Sequence, residues 1–353
     1  MLRRRLTAQL LSGPPARSAA EVCRRLLAIQ AQDRKGALLA IRARSRGLVA
    51  AAVEEDLNAP SRLLITWLNR GTLHLVTAED YKWLHPLLGP RLQGVVRHRL
   101  FQEGVSGEMA ERGLVALTHA LADRGPMRSA QLGPSLVRAG LPDRPSAWLF
   151  LLFLASARGL VVRGPLVGRL AGYVLVRDWV GAPLRPEPER WLGELARRYL
   201  MGHGPADERD LAQWAGIGLG EARRGLRAIS QELDQLPAGQ LELRGRGEPA
   251  ALPPPRLLGA FEPLLLGWRS RADVLGGHQG LITVNGLFRS MLLNRGRAQG
   301  TWTLSAGRLR LRPFTDLAPA VVKALEGETR AVSEFLGLGQ TRLELEAQSP
   351  PAL

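Results

Sequence analysis

Ser146-Ala-Trp-Leu-Phe-Leu-Leu-Phe-Leu-Ala-Ser-Ala157 runs into Arg158-Gly-Leu-Val-Val-Arg163, and the change of texture between the two stretches decides the fold. The first is apolar on every side and long enough for about three turns of buried helix. The second opens on glycine and continues with β-branched residues, the composition of a strand. A Gly/Pro-rich turn from Gly164 and the run Tyr173-Val-Leu-Val-Arg177 complete a hairpin. Upstream, Glu111 to Ala122 and Met127 to Ala139 carry helical periodicity, the second started by Ser129. Three helices followed by a two-stranded wing is the order of a winged helix-turn-helix. The turn of this wing is expected to carry Arg163 and Arg169.

The theme spreads in both directions. Over residues 62 to 77 the spacing predicts a helix ending near Asn69 with Gly71 as its stop, then a short strand from Thr72 to Val76. Thr77 with Asp80 opens a further helix through Leu84. Beyond a proline-rich linker at Gly181 to Pro188, Trp191 to Tyr199, Ala206 to Gly216 and Gly220 to Leu233 read as another helical set. Its last helix holds Arg223, Arg224 and Arg227 where a recognition helix would present them. After a second Pro-rich break at 248 to 256 the period changes from 3.6 to 2. Leu281 to Val284 and Leu287 to Leu293 flank Asn285-Gly286, a strong hairpin signal, and Gln299 to Leu304 and Arg308 to Phe314 follow. Such a meander suggests a small barrel, closed by a helix from Pro319 to Leu336. The expected architecture is α+β and mainly helical, with three tandem winged-helix domains (1–110, 111–182, 183–250) and a small C-terminal β-barrel (251–353).

Composition points to a polyanion. The chain has 353 residues, a formal net charge of +16 and 45% hydrophobic residues, so it is basic yet able to build packed cores. Lysine occurs only at Lys35, Lys82 and Lys323; the other cations are arginines. Cys23, the single cysteine, rules out disulfide scaffolding and cysteine-based zinc sites and fits a reducing compartment. The longest apolar run, Trp148 to Ala155, is far below the roughly 20 residues of a membrane span. The expectation is a soluble cytoplasmic, nucleoid-associated monomer without membrane attachment. There is no GxxxxGK[ST], no GxGxxG between strand and helix, no HExxH and no GxSxG. The six histidines show no metal-ligand spacing; His74, beside Gly71 and Thr72, fits a structural hydrogen bond. Glu54-Glu55-Asp56 reads as a solvated acidic face.

Gln30-Ala31-Gln32-Asp33 remains. Ser18, with Glu21 three residues on, starts a helix that carries Val22, Leu26, Leu27 and Ile29; Asp33 caps another that carries Ala37, Leu38 and Ile41. Inside a helix Gln30 and Gln32 would point about 200° apart, whereas in an extended junction they share a side. A helix break at this step would therefore present two neutral carboxamides together. Carboxamides are poor bases, but they can orient a water and offer a lone pair to a developing cation. That suits cleavage of a bond already weakened, such as the glycosidic bond of a damaged base.

Leu26-Leu-Ala-Ile-Gln-Ala-Gln-Asp33 and Asn69-Arg-Gly-Thr-Leu-His-Leu-Val76 resemble the winged-helix DNA glycosylases of the AlkZ/YcaQ type. So do Arg158-Gly-Leu-Val-Val-Arg-Gly-Pro165, Gly259-Ala-Phe-Glu-Pro-Leu-Leu-Leu-Gly-Trp268 and Gly296-Arg-Ala-Gln-Gly-Thr-Trp302. The resemblance keeps the motif order over nearly the whole chain. It implies the same tandem winged-helix and barrel fold curved around DNA. It further implies a Gln-Φ-Gln catalytic motif at Gln30 and Gln32, with Ala31 where the family usually has a larger apolar residue. The implied substrate is double-stranded DNA bearing an alkylated purine, chiefly N7-alkylguanine, or a bulkier natural-product adduct or crosslink; no metal or cofactor is needed. Water is the expected nucleophile, since Lys35, one position past the cap, should face solvent. Backbone contacts are expected from Arg34 and Lys35 at a helix start, Arg163 and Arg169 at the wing, and Arg295 and Arg297 at a barrel turn. The rival reading is a non-catalytic winged-helix regulator or damage sensor.

Overall fold

The computed structural model describes residues 1–347 apart from Pro186, Ala238, Gln279 and Val284. It is a mixed α/β chain, about half helical, that divides into two compact units.

One unit comprises Glu55–Trp191 with Ala215–Ile217. Its helices Gly107–Arg124, Ser129–Arg138 and Pro145–Ala157 stand where helical periodicity put them. The hairpin Val161–Val167 and Leu170–Leu175 follows as expected. Residues 62–69 do not form the expected helix. Leu63–Leu68 is a strand, antiparallel to Thr72–Thr77, and it also pairs with the first hairpin strand at Ile65 and Arg163. All six of its residues are buried, so no solvent face imprints a period of 2, and the apolar run looks helical. Gly71 is part of the turn: Arg70 and Gly71 both take left-handed backbone, at φ 55° and 79°. Trp67 stacks on Phe153 at 5.1 Å and fastens the sheet to the apolar helix.

The other unit comprises Met1–Glu54, Leu192–Trp214 and the chain from Gly218 onward. Ser18 accepts from the Glu21 amide and Asp33 from the Lys35 amide, so both predicted caps are present. The helix Leu219–Ala228 leads into a two-stranded ribbon, Leu233–Gln235 with Leu241–Leu243. The C-terminal strands form an open sheet rather than the expected barrel. Its order is 342–345, 308–313, 297–305, 291–294, 256–258. All pairs are antiparallel except the first, because the helix Pro319–Leu336 carries the chain back to a parallel neighbour. That helix also covers the edge at 256–258: Glu328 accepts the Leu257 amide at 2.9 Å, occupying the place a closing strand would need. The Asn285-Gly286 turn forms, but among the described residues its flanks meet only in an isolated bridge between Ile282 and Phe288. Regular pairing begins at Met291, because Leu287 is exposed and has no layer to pack on. Val284, the end of the expected strand, lies outside the described residues, as does Pro186 in the expected linker.

Candidate active site

The helix Ala19–Leu26 stops because Leu27 turns into left-handed backbone at φ 64°. Ile29–Gln30 is extended, and Asp33 starts the helix Arg34–Arg42 by accepting the Lys35 amide at 3.0 Å. The Gln-Ala-Gln step thus sits in a break between two helices. Ala31 is buried and Gln32 is exposed. Gln30 is nearly buried, but its amide atoms are not among the sealed, unbonded polar atoms of the interior.

The helix behind the motif is held at both ends. Gly36 lies backbone-to-backbone against Gly259 and Ala260; a Cβ on Gly259 would stand 2.8 Å from the Gly36 Cα. At the far end Arg42 pairs with Glu328 and donates to the Leu257 carbonyl at 3.1 Å. Arg44, fully buried, pairs with Glu262 and donates to Gln9 at 2.7 Å and to the Ala40 carbonyl at 3.0 Å. Buried arginines need such carboxylate partners, because an unanswered interior charge is costly. These cations serve the fold and are unavailable to a polyanion.

The expected DNA contacts divide into distinct environments. Arg34 pairs with Glu54, its Nε donating at 2.8 Å. Asp56 pairs with Arg62 at 2.7 Å, so the acidic cluster is engaged rather than simply solvated. Lys35 does not face open solvent as expected. It is half-buried, and burial pushes its ammonium pKa down against the opposing pull of Asp33. It lines a cavity of about 470 Å³ with Asp33, Gly36, Arg289, Trp302, Arg310 and Arg312, among others. Arg163 is not at the wing turn. It lies in the strand over Trp67 and Tyr173, at 5.5 and 5.8 Å, because a half-buried guanidinium gains from aromatic faces. Arg169 does occupy the turn, exposed beside Leu170. Arg295 and Arg297 are exposed at the turn between Met291–Asn294 and Arg297–Ser305. His74 is buried, its Nδ1 donating to the Thr72 carbonyl at 2.9 Å, and burial pushes its pKa down to about 4. Among the described residues no group of three His, Cys, Asp or Glu is placed to hold a metal, and no helix is long and apolar enough to cross a membrane.

Arg289, Arg310 and Arg312 were missed in the sequence. The signal for two of them was there: residues 308, 310 and 312 alternate along one strand, so their side chains share a face. Across from them Arg310 meets Glu344 at 3.3 Å and Arg312 meets Glu346 at 2.9 Å.

A carboxamide pair thus sits on a braced junction, beside a cavity whose lining holds four cations and two carboxylates, and the class of protein comes from the family assignment. A family model of AlkZ-like DNA glycosylases matches residues 23–335, which include Gln30 and Gln32, and the chain belongs to that family. It is 26% identical over 362 residues, covering 95% of each chain, to an interstrand DNA cross-link repair glycosylase of Streptomyces sahachiroi. Its fold is similar to the structure of Streptomyces sahachiroi DNA glycosylase AlkZ, with TM-score 0.78, 24% identity and 98% of each chain covered.

Proposed function

We propose that this glycosylase hydrolyses the N-glycosidic bond of alkylated purines in double-stranded DNA, N7-alkylguanine foremost, and that it also takes bulky adducts and interstrand crosslinks. The observation that carries this reading is the helix break at Leu27 to Asp33, which puts two carboxamides on one braced junction. Alkylation at N7 makes the base a cation, so the bond to C1′ is weak and the departing base leaves neutral. The sugar becomes oxocarbenium-like, water adds to C1′, and its proton passes to solvent. Gln32 orients that water, and Gln30 accepts a hydrogen bond from it or from the sugar. Fixing the water in place removes entropy from the barrier, and no strong base is required. The enzyme is monofunctional, acts as a monomer and works at the nucleoid. The helical sets with their hairpins serve as winged-helix units gripping the backbone, through Arg34, Lys35, Arg163, Arg169, Arg295 and Arg297.

Duplex carrying N7-methylguanine tests the reading. Incubation followed by hot alkali should give strand breaks at the lesion, and borohydride should trap no protein–DNA adduct. Gln30→Ala with Gln32→Ala should slow base release about a hundredfold or more. A double variant as fast as the parent sinks the assignment of the two glutamines. A parent that binds duplex without releasing base favours the non-catalytic binder.

A further inference from the structure

The cavity at the start of the motif helix has a charge balance of its own. Its lining includes four cations, Lys35, Arg289, Arg310 and Arg312, against two carboxylates, Asp33 and Glu346. Arg310 and Arg312 already have carboxylate partners in Glu344 and Glu346. Asp33 is engaged as the helix cap. Among the described residues Lys35 and Arg289 form no ion pair, and Lys35 is held partly out of water. A partly desolvated ammonium and a guanidinium that face one cavity without an ion-pair partner, in a lining where cations outnumber carboxylates four to two, are suited to an anion. Thr301 and Thr303, opposite Arg312 and Arg310 in the strand register, also line the wall and offer hydroxyl donors.

We infer that this cavity seats one backbone phosphate of the damaged strand, close to the excised nucleotide, gripped by Lys35 and Arg289. The inference rests on the glycosylase reading and adds a positioning function to it. Lys35 follows Gln32 by three residues, so their Cα atoms are at most about 11 Å apart. A strand carries one phosphate per roughly 3.4 Å of helix axis, so the seated phosphate falls within about three linkages of the nucleotide that faces the glutamines. The cavity, at about 470 Å³, is roomy enough for a phosphate with its sugar. A phosphate held there fixes the register of the strand, and with it the distance between C1′ and the water on Gln32.

A methylphosphonate scan tests this directly. Duplexes with N7-methylguanine are made with one uncharged linkage at a time, at the three positions on either side of the lesion. The parent should lose affinity about tenfold at one linkage, the size of one charge-assisted contact. Lys35→Ala with Arg289→Ala should bind the unmodified duplex more weakly, with a salt slope shallower by about one, and show no further loss at that linkage. Lys35→Arg with Arg289→Lys should restore the sensitivity. Equal losses at every linkage, or none in the parent, overturn the seat. The scan on the parent decides this even if the alanine variant is unstable. A parent with one sensitive linkage and no base release would keep the seat and remove the glycosylase reading.

Discussion

Gly259→Ala tests whether the precision of the motif comes from the close approach behind it. The new Cβ would stand 2.8 Å from the Gly36 Cα, 3.0 Å from the Gly36 carbonyl oxygen and 3.1 Å from the Leu39 Cβ. Non-bonded carbons rest at about 3.5–4.0 Å, so the first turn of the helix Arg34–Arg42 has to retreat by about 1 Å. The nearest obstacle is backbone, which cannot swing aside as a long side chain would. Replacing glycine restricts the unfolded chain and stabilises by about 0.4–1 kcal/mol, while overpacking costs about 1–3 kcal/mol, so the net effect is destabilising. The consequence for chemistry is larger. Gly36 is four residues from Gln32, and a misplacement of about 1 Å in a reacting geometry can cost about a hundredfold in rate. Single-turnover release of N7-methylguanine should therefore fall much further than the melting temperature. Gly327→Ala is the control: its Cβ would meet only the tip of Arg330 at 3.8 Å, and rate and fold should stay parental. A Gly259→Ala enzyme with parental rate and parental melting would refute the claim that this contact positions the glutamines.

Two further outcomes follow from the electrostatics. Glu54→Gln frees the Arg34 guanidinium. Binding to undamaged duplex should tighten several-fold while base release slows about thirtyfold, since a bare cation roughly 8 Å from an oxocarbenium costs about 2 kcal/mol at an effective dielectric near 20; unchanged release in single-turnover assays would sink this. Acid should weaken both units. Burial pushes His203 down to about 3 and His74 down to about 4, against about 6.5 unfolded, so the unfolded chain takes up protons that the native one refuses. Their stabilisation is complete above pH 6.5 and is lost as pH falls toward those native values, at about 1.4 kcal/mol per pH unit for each histidine. Melts between pH 7.5 and 4.5 check the slope, and His203→Phe should flatten it in the unit that contains Tyr199; equal slopes for parent and variant would refute the assignment.

Local signals in the sequence carried through where local chemistry decides the structure. Ser18 and Asp33 act on amides two or three residues away, so their caps were legible, and the helix break between them with it. The helix Pro319–Leu336 was legible for the same reason: an amphipathic period with proline at its start and Gly337 at its end. Leu63–Leu68 was not, since burial on both faces leaves no alternation to read. Nor was the open sheet, whose edge is decided by a contact between Leu257 and Glu328 across 71 positions of chain. Net charge misled in a different way. Counting cations cannot tell Arg44, fully buried, from Arg169 on its exposed turn, and the structure divides the arginines between those two occupations.

That division bears on how a very basic protein could cleave the cationic lesion proposed for it. Every positive charge that draws in the phosphate backbone also opposes the positive charge growing on the sugar, and the opposition strengthens as water is excluded. The requirement is cations in reach of phosphates and none unanswered beside C1′. Around the motif the side chains fit that requirement. Gln30 and Gln32 are neutral, Asp33 adds a carboxylate, and Arg34 is answered by Glu54. Lys35 and Arg289, which form no ion pair among the described residues, face the cavity. An aspartate in place of Gln32 would supply more stabilisation to the sugar but would itself repel phosphates. An amide would help an already weakened bond without that conflict, and on the proposed reading the Leu27 turn and the Gly36–Gly259 contact matter because they fix where so mild a group points.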